Sequence, residues 1–151
     1  SIAPVTKSGI RLVLLRTGIV LSKEGGALKE FLKPLKFGIA AILGNGKQII
    51  SWIHIDDLVA LYLYAIENET MNGAYNAVAP QPVSNKELTI QLAKAKNKFY
   101  IPCYVPSVVL KIVLGEMSIE VLKSCTVNCD KIISANFNFR FPDIKIALNS
   151  I

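Results

Sequence analysis

Residues 10–16 read Ile10-Arg11-Leu12-Val13-Leu14-Leu15-Arg16, an apolar run set between Gly9 and Gly18. A strand with one wet face alternates apolar and polar residues, whereas a strand covered on both faces is apolar nearly throughout. The run therefore predicts a central strand of a parallel sheet from Ile10 to Arg16. Parallel neighbours need long crossovers, usually helical, so the residues downstream of Gly18 should supply helices between further strands.

They do. Lys23-Glu24-Gly25-Gly26 is a turn, and Ala27 to Phe37 reads as a helix that Pro34 bends or ends. Gly44-Asn45-Gly46 is a tight turn before a strand from Gln48 to Ile53. Asp56 and Asp57 open the next helix as start residues, with Leu58, Leu61, Tyr62, Ala65 and Ile66 at helical spacing. Met71-Asn72-Gly73 closes it, and Ala74 to Val78 is a short strand. Pro80 and Pro82 mark a crossover. Ser84 with Glu87 three residues on forms a capping box for a helix running to about Lys96, with Asn85 assisting the cap.

Beyond this point the elements shorten. Ile101-Pro102 and Val105-Pro106 punctuate an extended segment, followed by helices at Ser107 to Leu114, Ile119 to Lys123 and Asp130 to Ala135. Phe137, Phe139 and Phe141 alternate with Asn138 and Arg140, a period-two strand pattern. Pro142-Asp143 opens a last helix, Ile144 to Leu148. The order predicts an α/β fold, the tail of a doubly wound sheet plus a smaller mixed lobe.

Composition bounds the function. Hydrophobic residues are 52 % of the 151 and mean hydropathy is +0.42, which excludes a disordered chain. The longest apolar bursts, Phe37 to Gly44 and Val105 to Gly115, fall short of the roughly 18–20 residues that cross a bilayer. The expectation is buried core and no membrane. No signal peptide is visible at Ser1-Ile2-Ala3-Pro4. Three cysteines, an odd number, suit a reducing, cytoplasmic setting, and Cys125, Cys129 and the single His54 have no zinc spacing, so no metal is expected. Net charge is +6, but the lysines are spread singly, which favours a solvated face over nucleic acid.

Three segments carry a resemblance: LLRTGIVLSKEGGAL (14–28), GNGKQIISWIHIDDL (44–58) and GAYNAVAPQPVSNKEL (73–88). In register they resemble the extended short-chain dehydrogenase/reductases, in particular their atypical, nucleoside-diphosphate-sugar-epimerase-like branch. A fourth, LGEMSIEVLKS followed by FRFPDIKIAL, is similar to that branch's small C-terminal domain. The resemblance implies the C-terminal part of a Rossmann-like doubly wound sheet over residues 1–98 and a small mixed α/β substrate lobe over 99–151.

It also implies roles. Arg16, Thr17, Gly18 and Ile19 would lie beside the nicotinamide ring of NAD or NADP, at the carboxyl end of a strand where open α/β sheets bind ligands. The alternative is a structural glycine turn with Arg16 in an ion pair. Gln48, Trp52 and His54 would face a small-molecule substrate. A lone His invites a general-base role, but the helix-start signals at Asp56 and Asp57 favour a structural junction. Asn76 is read as bonding a neighbouring loop, Gly115-Glu116-Met117 as a helix break, and the Phe stripe as core.

No G-x-G-x-x-G is present, and no Tyr has a Lys four residues later. The resemblance puts both motifs upstream of Ser1, so no catalytic residue is assigned and no independent oxidoreductase activity is expected. The implied partners are the substrate, the missing N-terminal half and, for an exposed sheet edge, a second copy of the chain. A non-catalytic interaction protein of the cell-division-inhibitor kind is the competing reading.

Overall fold

The computed structural model describes residues 10–25, 27–97, 99–114 and 124–151. Strand β1 (Val13–Thr17) begins three residues later than the apolar run suggests. Just before it, the Arg11 guanidinium donates to the Ala65 and Ile66 carbonyls at 2.8 and 3.1 Å, the open end of a helix. Gly18 then separates β1 from β2 (Ile19–Leu21).

Helix α1 (Ala27–Leu35) carries Pro34 in its last turn and stops one residue beyond it, two residues short of Phe37. The apolar stretch after Gly38 forms β3 (Ile39–Leu43). The single strand expected from Gln48 to Ile53 is two, β4 (Ile49–Ile50) and β5 (Trp52–His54), parted at Ser51. Helix α2 (Ile55–Glu67) is capped by His54, whose side chain accepts from Asp56 N, so Asp56 and Asp57 are first-turn residues rather than the cap. β6 (Gly73–Ala77) and β7 (Val83–Ser84) lead to α3 (Asn85–Ala95), whose cap Ser84 accepts from Glu87 N as the capping box requires.

The remaining described elements are β8 (Ile101–Val105), α4 (Ser107–Leu114), α5 (Asp130–Ser134) and α6 (Ile144–Ser150). The helix expected at Ile119 to Lys123 and the Gly115-Glu116-Met117 break lie outside the described residues.

Three pairings are parallel: β1 with β6, β2 with β5, and β3 with β8. β4 and β7 pair antiparallel. The described elements are mixed α/β, with parallel strand pairs and helices between them, the fold class that the residue pattern predicts. The Phe stripe is the exception. Residues 137–141 form no strand, because the Arg140 and Phe141 amides bond the Asp57 carboxylate instead of a ladder. Its reading as core holds for Phe137 and Phe141, both buried.

Two buried clusters hold the molecule together. Leu21, Leu28, Leu35 and Trp52 pack with Leu88 and Leu92 of α3 and with Ile144 and Leu148 of α6. Ile53, Leu58, Leu61 and Tyr75 pack with Ile132 and Phe137. Both clusters draw residues from either side of position 98. The last turns of the chain are therefore built into the core.

Candidate functional site

The carboxyl ends of β1 and β6 lie together, with Arg16 level with Asn76 and Thr17 level with Ala77. Arg16 and Thr17 are both exposed there. No ion pair involving Arg16 occurs among the described residues. Immediately afterwards the chain changes neighbours: Gly18 N donates to Ala77 O, and Ile19 N donates to Ser51 O. A Cβ on Gly18 would sit 2.5 Å from Ser51 O and 2.8 Å from Val78 Cγ1, so this crossing demands glycine. The close approach that the glycine permits is to the chain's own β5 edge.

Along this rim a second segment is fastened. Ser51 Oγ donates to Cys125 O at 2.8 Å and accepts from Val127 N at 3.0 Å. Cys125 N donates to Ile49 O, Ile49 N to Ser124 Oγ, and Asn76 Nδ2 to Asn128 O. Residues 124–128 thus lie against both β4 and β6. Asn76 does bond a neighbouring loop. Ser51 carries no sequence signal for its double role.

A separate open cleft of about 510 Å³ is lined by Gly44, Asn45, Gln48, Pro106 and Ser107. None of these side chains is ionisable, so the cleft selects neither phosphate nor carboxylate by charge. Gln48 reaches it but is tied internally: its side-chain Nε2 donates to Leu43 O and its main-chain carbonyl accepts from Asn85 N. Asn85 is nearly fully buried, and its Oδ1 accepts from Leu43 N at 2.8 Å. It pins β3 to the start of α3, a role distinct from the expected support of the Ser84 cap.

Trp52 and His54 do not line the cleft. Trp52 is fully buried and donates Nε1–H to Gln81 O at 2.9 Å. His54 has both ring nitrogens engaged. Nδ1 accepts from Asp56 N at 3.1 Å, and Nε2 lies 3.1 Å from Ser150 Oγ. The Ser150 hydroxyl hydrogen goes to Ala147 O, so His54 Nε2 carries the proton and the imidazole is neutral. Burial pushes the His54 pKa below its ordinary 6.5; Asp56 and Asp57 oppose this and Arg140 adds to it. The ring also stacks on Phe141 with centroids 3.9 Å apart.

Asp57, buried beside it, accepts from Arg140 N and Phe141 N, both at 2.9 Å. Sequence reasoning treats the two aspartates alike. Only one turns inward, and the side chain of its neighbour Asp56 is 57 % exposed. Trp52, His54 and Asp57 of this WIHIDD segment are tied into the fold, and Asp56 keeps an exposed carboxylate.

No group of three or more His, Cys, Asp or Glu is placed to share a metal among the described residues. Cys103, Cys125 and Cys129 are free thiols. Burial, followed by the nearby Asp130, raises the Cys129 pKa, which disfavours the nucleophilic thiolate. No described helix is long and apolar enough to cross a membrane.

Residues 105–151 match a family model described as a domain of unknown function (DUF1731). Over 143 residues, 95 % of this chain, the sequence is 39 % identical to an epimerase family protein of Staphylococcus aureus and 38 % identical to one of Staphylococcus saprophyticus. The chain spans about half the length of these curated relatives, 47 % and 48 %. Among solved structures, the human epimerase family protein SDR39U1 with NADPH matches with a TM-score of 0.86 at 32 % identity, over 93 % of this chain and 48 % of that one. The nucleoside-diphosphate sugar epimerase of Corynebacterium glutamicum matches with a TM-score of 0.71 at 30 % identity, over 98 % of this chain and 28 % of that one.

Proposed function

From its similarity to epimerase family proteins over the half of their length that it spans, we propose that this chain is the carboxyl-terminal, substrate-side half of an NAD(P)-dependent epimerase or oxidoreductase. The observation that carries the reading is the rim at the end of β1. Ligands of open α/β sheets sit outside the carboxyl ends of the strands. Here that end presents exposed Arg16 and Thr17 within one compact fold that also forms the 510 Å³ cleft.

The residues fit one side of a nicotinamide cofactor. Arg16 to Ile19 supply backbone and two exposed side chains at the rim, while the sequence has no glycine-rich turn for a pyrophosphate. A bound nicotinamide supplies hydride acceptance or donation. The part played by this chain is to shape the substrate side: Gln48 lines the cleft, and Trp52 and His54 brace the strand behind it. Residues 99–151 would contribute Pro106 and Ser107 to the same cleft while sharing both buried clusters with the rest of the chain.

A seam for the other half is present. Among the described residues β1 is paired along one edge only, with β6. Helix α2 exposes Val59, Tyr62, Leu63 and Ile66 at helical spacing. A groove lined by Arg11, Val13, Leu15, Tyr62, Ala65 and Ile66 runs between them. An upstream half adding a strand to β1 and an apolar surface to α2 would cover all of it. That half would bring the glycine-rich turn and the Tyr-x-x-x-Lys pair.

The test is calorimetric titration of NADPH and NADH into this chain and into the same chain joined to the upstream half of a relative. Binding by the joined protein alone is the expected result. Binding by neither would refute the oxidoreductase reading and leave an interaction protein on the same fold. Binding by this chain alone would refute the assignment of cofactor affinity to the other half.

A further inference from the structure

Independently of that reading, we propose that the outer face of the β3–β8 pair docks on an anionic lipid surface. The pair has two unlike faces. Ala40 and Ile42 of β3 are buried on the inner side, where α1 and α3 pack. The outer face is apolar and open. Ile39 and Ile101 are in register and 41 % and 60 % exposed. Just before them in the chain stand Phe37 and Phe99, each 83 % exposed. The two ends are held level, since Ile101 N donates to Gly38 O at 2.8 Å and Gly38 takes the positive φ of 75° that the turn needs. Four large apolar side chains thus share one open end of a two-stranded sheet.

The charge of the two stretches that carry them is nearly all of one sign. Residues 29–43 and 94–112 contain seven lysines and one acid, Glu30, which is paired with Lys33 at 2.7 Å. The rest of the chain holds ten basic and ten acidic residues, so the whole excess of +6 resides in these two stretches. Lysines in the last turns of α1 and α3 complement those helix dipoles. That accounts for Lys33 and Lys94 but not for two phenylalanines in water. Exposed aromatics flanked in the sequence by lysines suit an anionic bilayer: the rings enter the acyl boundary and the ammonium groups remain among the headgroups.

Two other occupants fit less well. A symmetric contact between copies would oppose two lysine rims of the same sign. A single-stranded nucleic acid would stack on the rings and leave Ile39 and Ile101 wet.

The experiment is co-sedimentation of the 151-residue chain with phosphatidylcholine vesicles, with and without phosphatidylserine, at low and high salt. The expected result is binding that requires phosphatidylserine and is lost with salt. Phe37→Ser with Phe99→Ser should abolish it, and Lys36→Gln or Lys96→Gln should each weaken it by about fivefold. Unchanged circular dichroism of each variant separates these effects from misfolding, since Lys36, Phe37 and Phe99 are exposed and Lys96 is half-buried. Four outcomes overturn the proposal: no binding to either vesicle, equal binding to both, undiminished binding by the double Phe variant, or light scattering that shows a dimer abolished by that variant.

Discussion

Asp57 offers the sharpest test of how the chain is held together. Its two carboxylate oxygens accept the Arg140 and Phe141 amides at 2.9 Å, joining the first turn of α2 to the segment that precedes α6. Hydrogen bonds to a charged group contribute about 1.5–3 kcal/mol each, and a buried donor left unpaired adds a desolvation penalty. Asp57→Ala should therefore cost about 3–6 kcal/mol, a large part of the roughly 5–15 kcal/mol that holds a typical domain. Asp57→Asn keeps one acceptor and turns an amide N–H₂ toward the other donor, so about half that loss is expected. Trp52 is the only tryptophan and is fully buried, which makes its fluorescence a direct reporter of urea unfolding. Hydrogen exchange at Phe141 and Ala147 reports whether α6 loosens first. An Asp57→Ala protein within about 1 kcal/mol of the parent, with Phe141 exchange unchanged, would refute the reasoning.

Other contacts yield expectations of their own. His54 is neutral when folded and its pKa is lowered, so the unfolded chain takes up the proton first as pH falls. The stabilisation is complete above the unfolded value of 6.5 and is lost as pH drops from there toward the folded pKa. The urea midpoint should fall between about pH 7.5 and pH 5, and a His54→Gln chain should show a smaller fall; equal slopes would sink the assignment. Gly18→Ala places a methyl 2.5 Å from Ser51 O and should cost about 1–3 kcal/mol, read as a lowered Tm. Ser51→Ala removes both bonds to residues 125 and 127 and should raise amide exchange at Val127 about tenfold or more while leaving α2 protected. Trp52→Phe loses the bond to Gln81 O and leaves a small cavity, costing about 2 kcal/mol in urea titration.

Much of this architecture was legible because parallel α/β units write it in long apolar runs. The run before Gly18, the capping box at Ser84 and the helical spacing of Leu58 and Leu61 each depend on local chemistry, and each yielded the expected kind of element, the first with a later start. What escaped depends on partners remote in sequence. β4 and β7 are two residues long, below any periodicity signal, and exist because they pair with each other. The Phe137 to Phe141 alternation is a good strand pattern that loses its backbone amides to a carboxylate more than eighty residues away. The rim residues Arg16 to Ile19 were legible at a strand's carboxyl end through the turn at Gly18. Gln48, Trp52 and His54 were expected to share one substrate-facing wall, yet of the three only Gln48 lines the cleft. Their polar atoms proved to serve the fold, because a side chain's donors and acceptors reveal their partners only once the tertiary structure has formed.

The strand pairings also carry a message about time. Val13 meets Gly73 sixty residues later, Ile19 meets Trp52, and Ile39 must wait for Ile101. No described strand pairs with its immediate successor. On a ribosome, β3 emerges as a sticky apolar ribbon and stays unpaired while about sixty further residues are made, several seconds at ordinary synthesis rates. Closing such long loops before any pairing rewards them makes folding slow. Until then the nascent chain depends on α1 and α2, the elements it can form locally, to keep its strands apart from those of its neighbours.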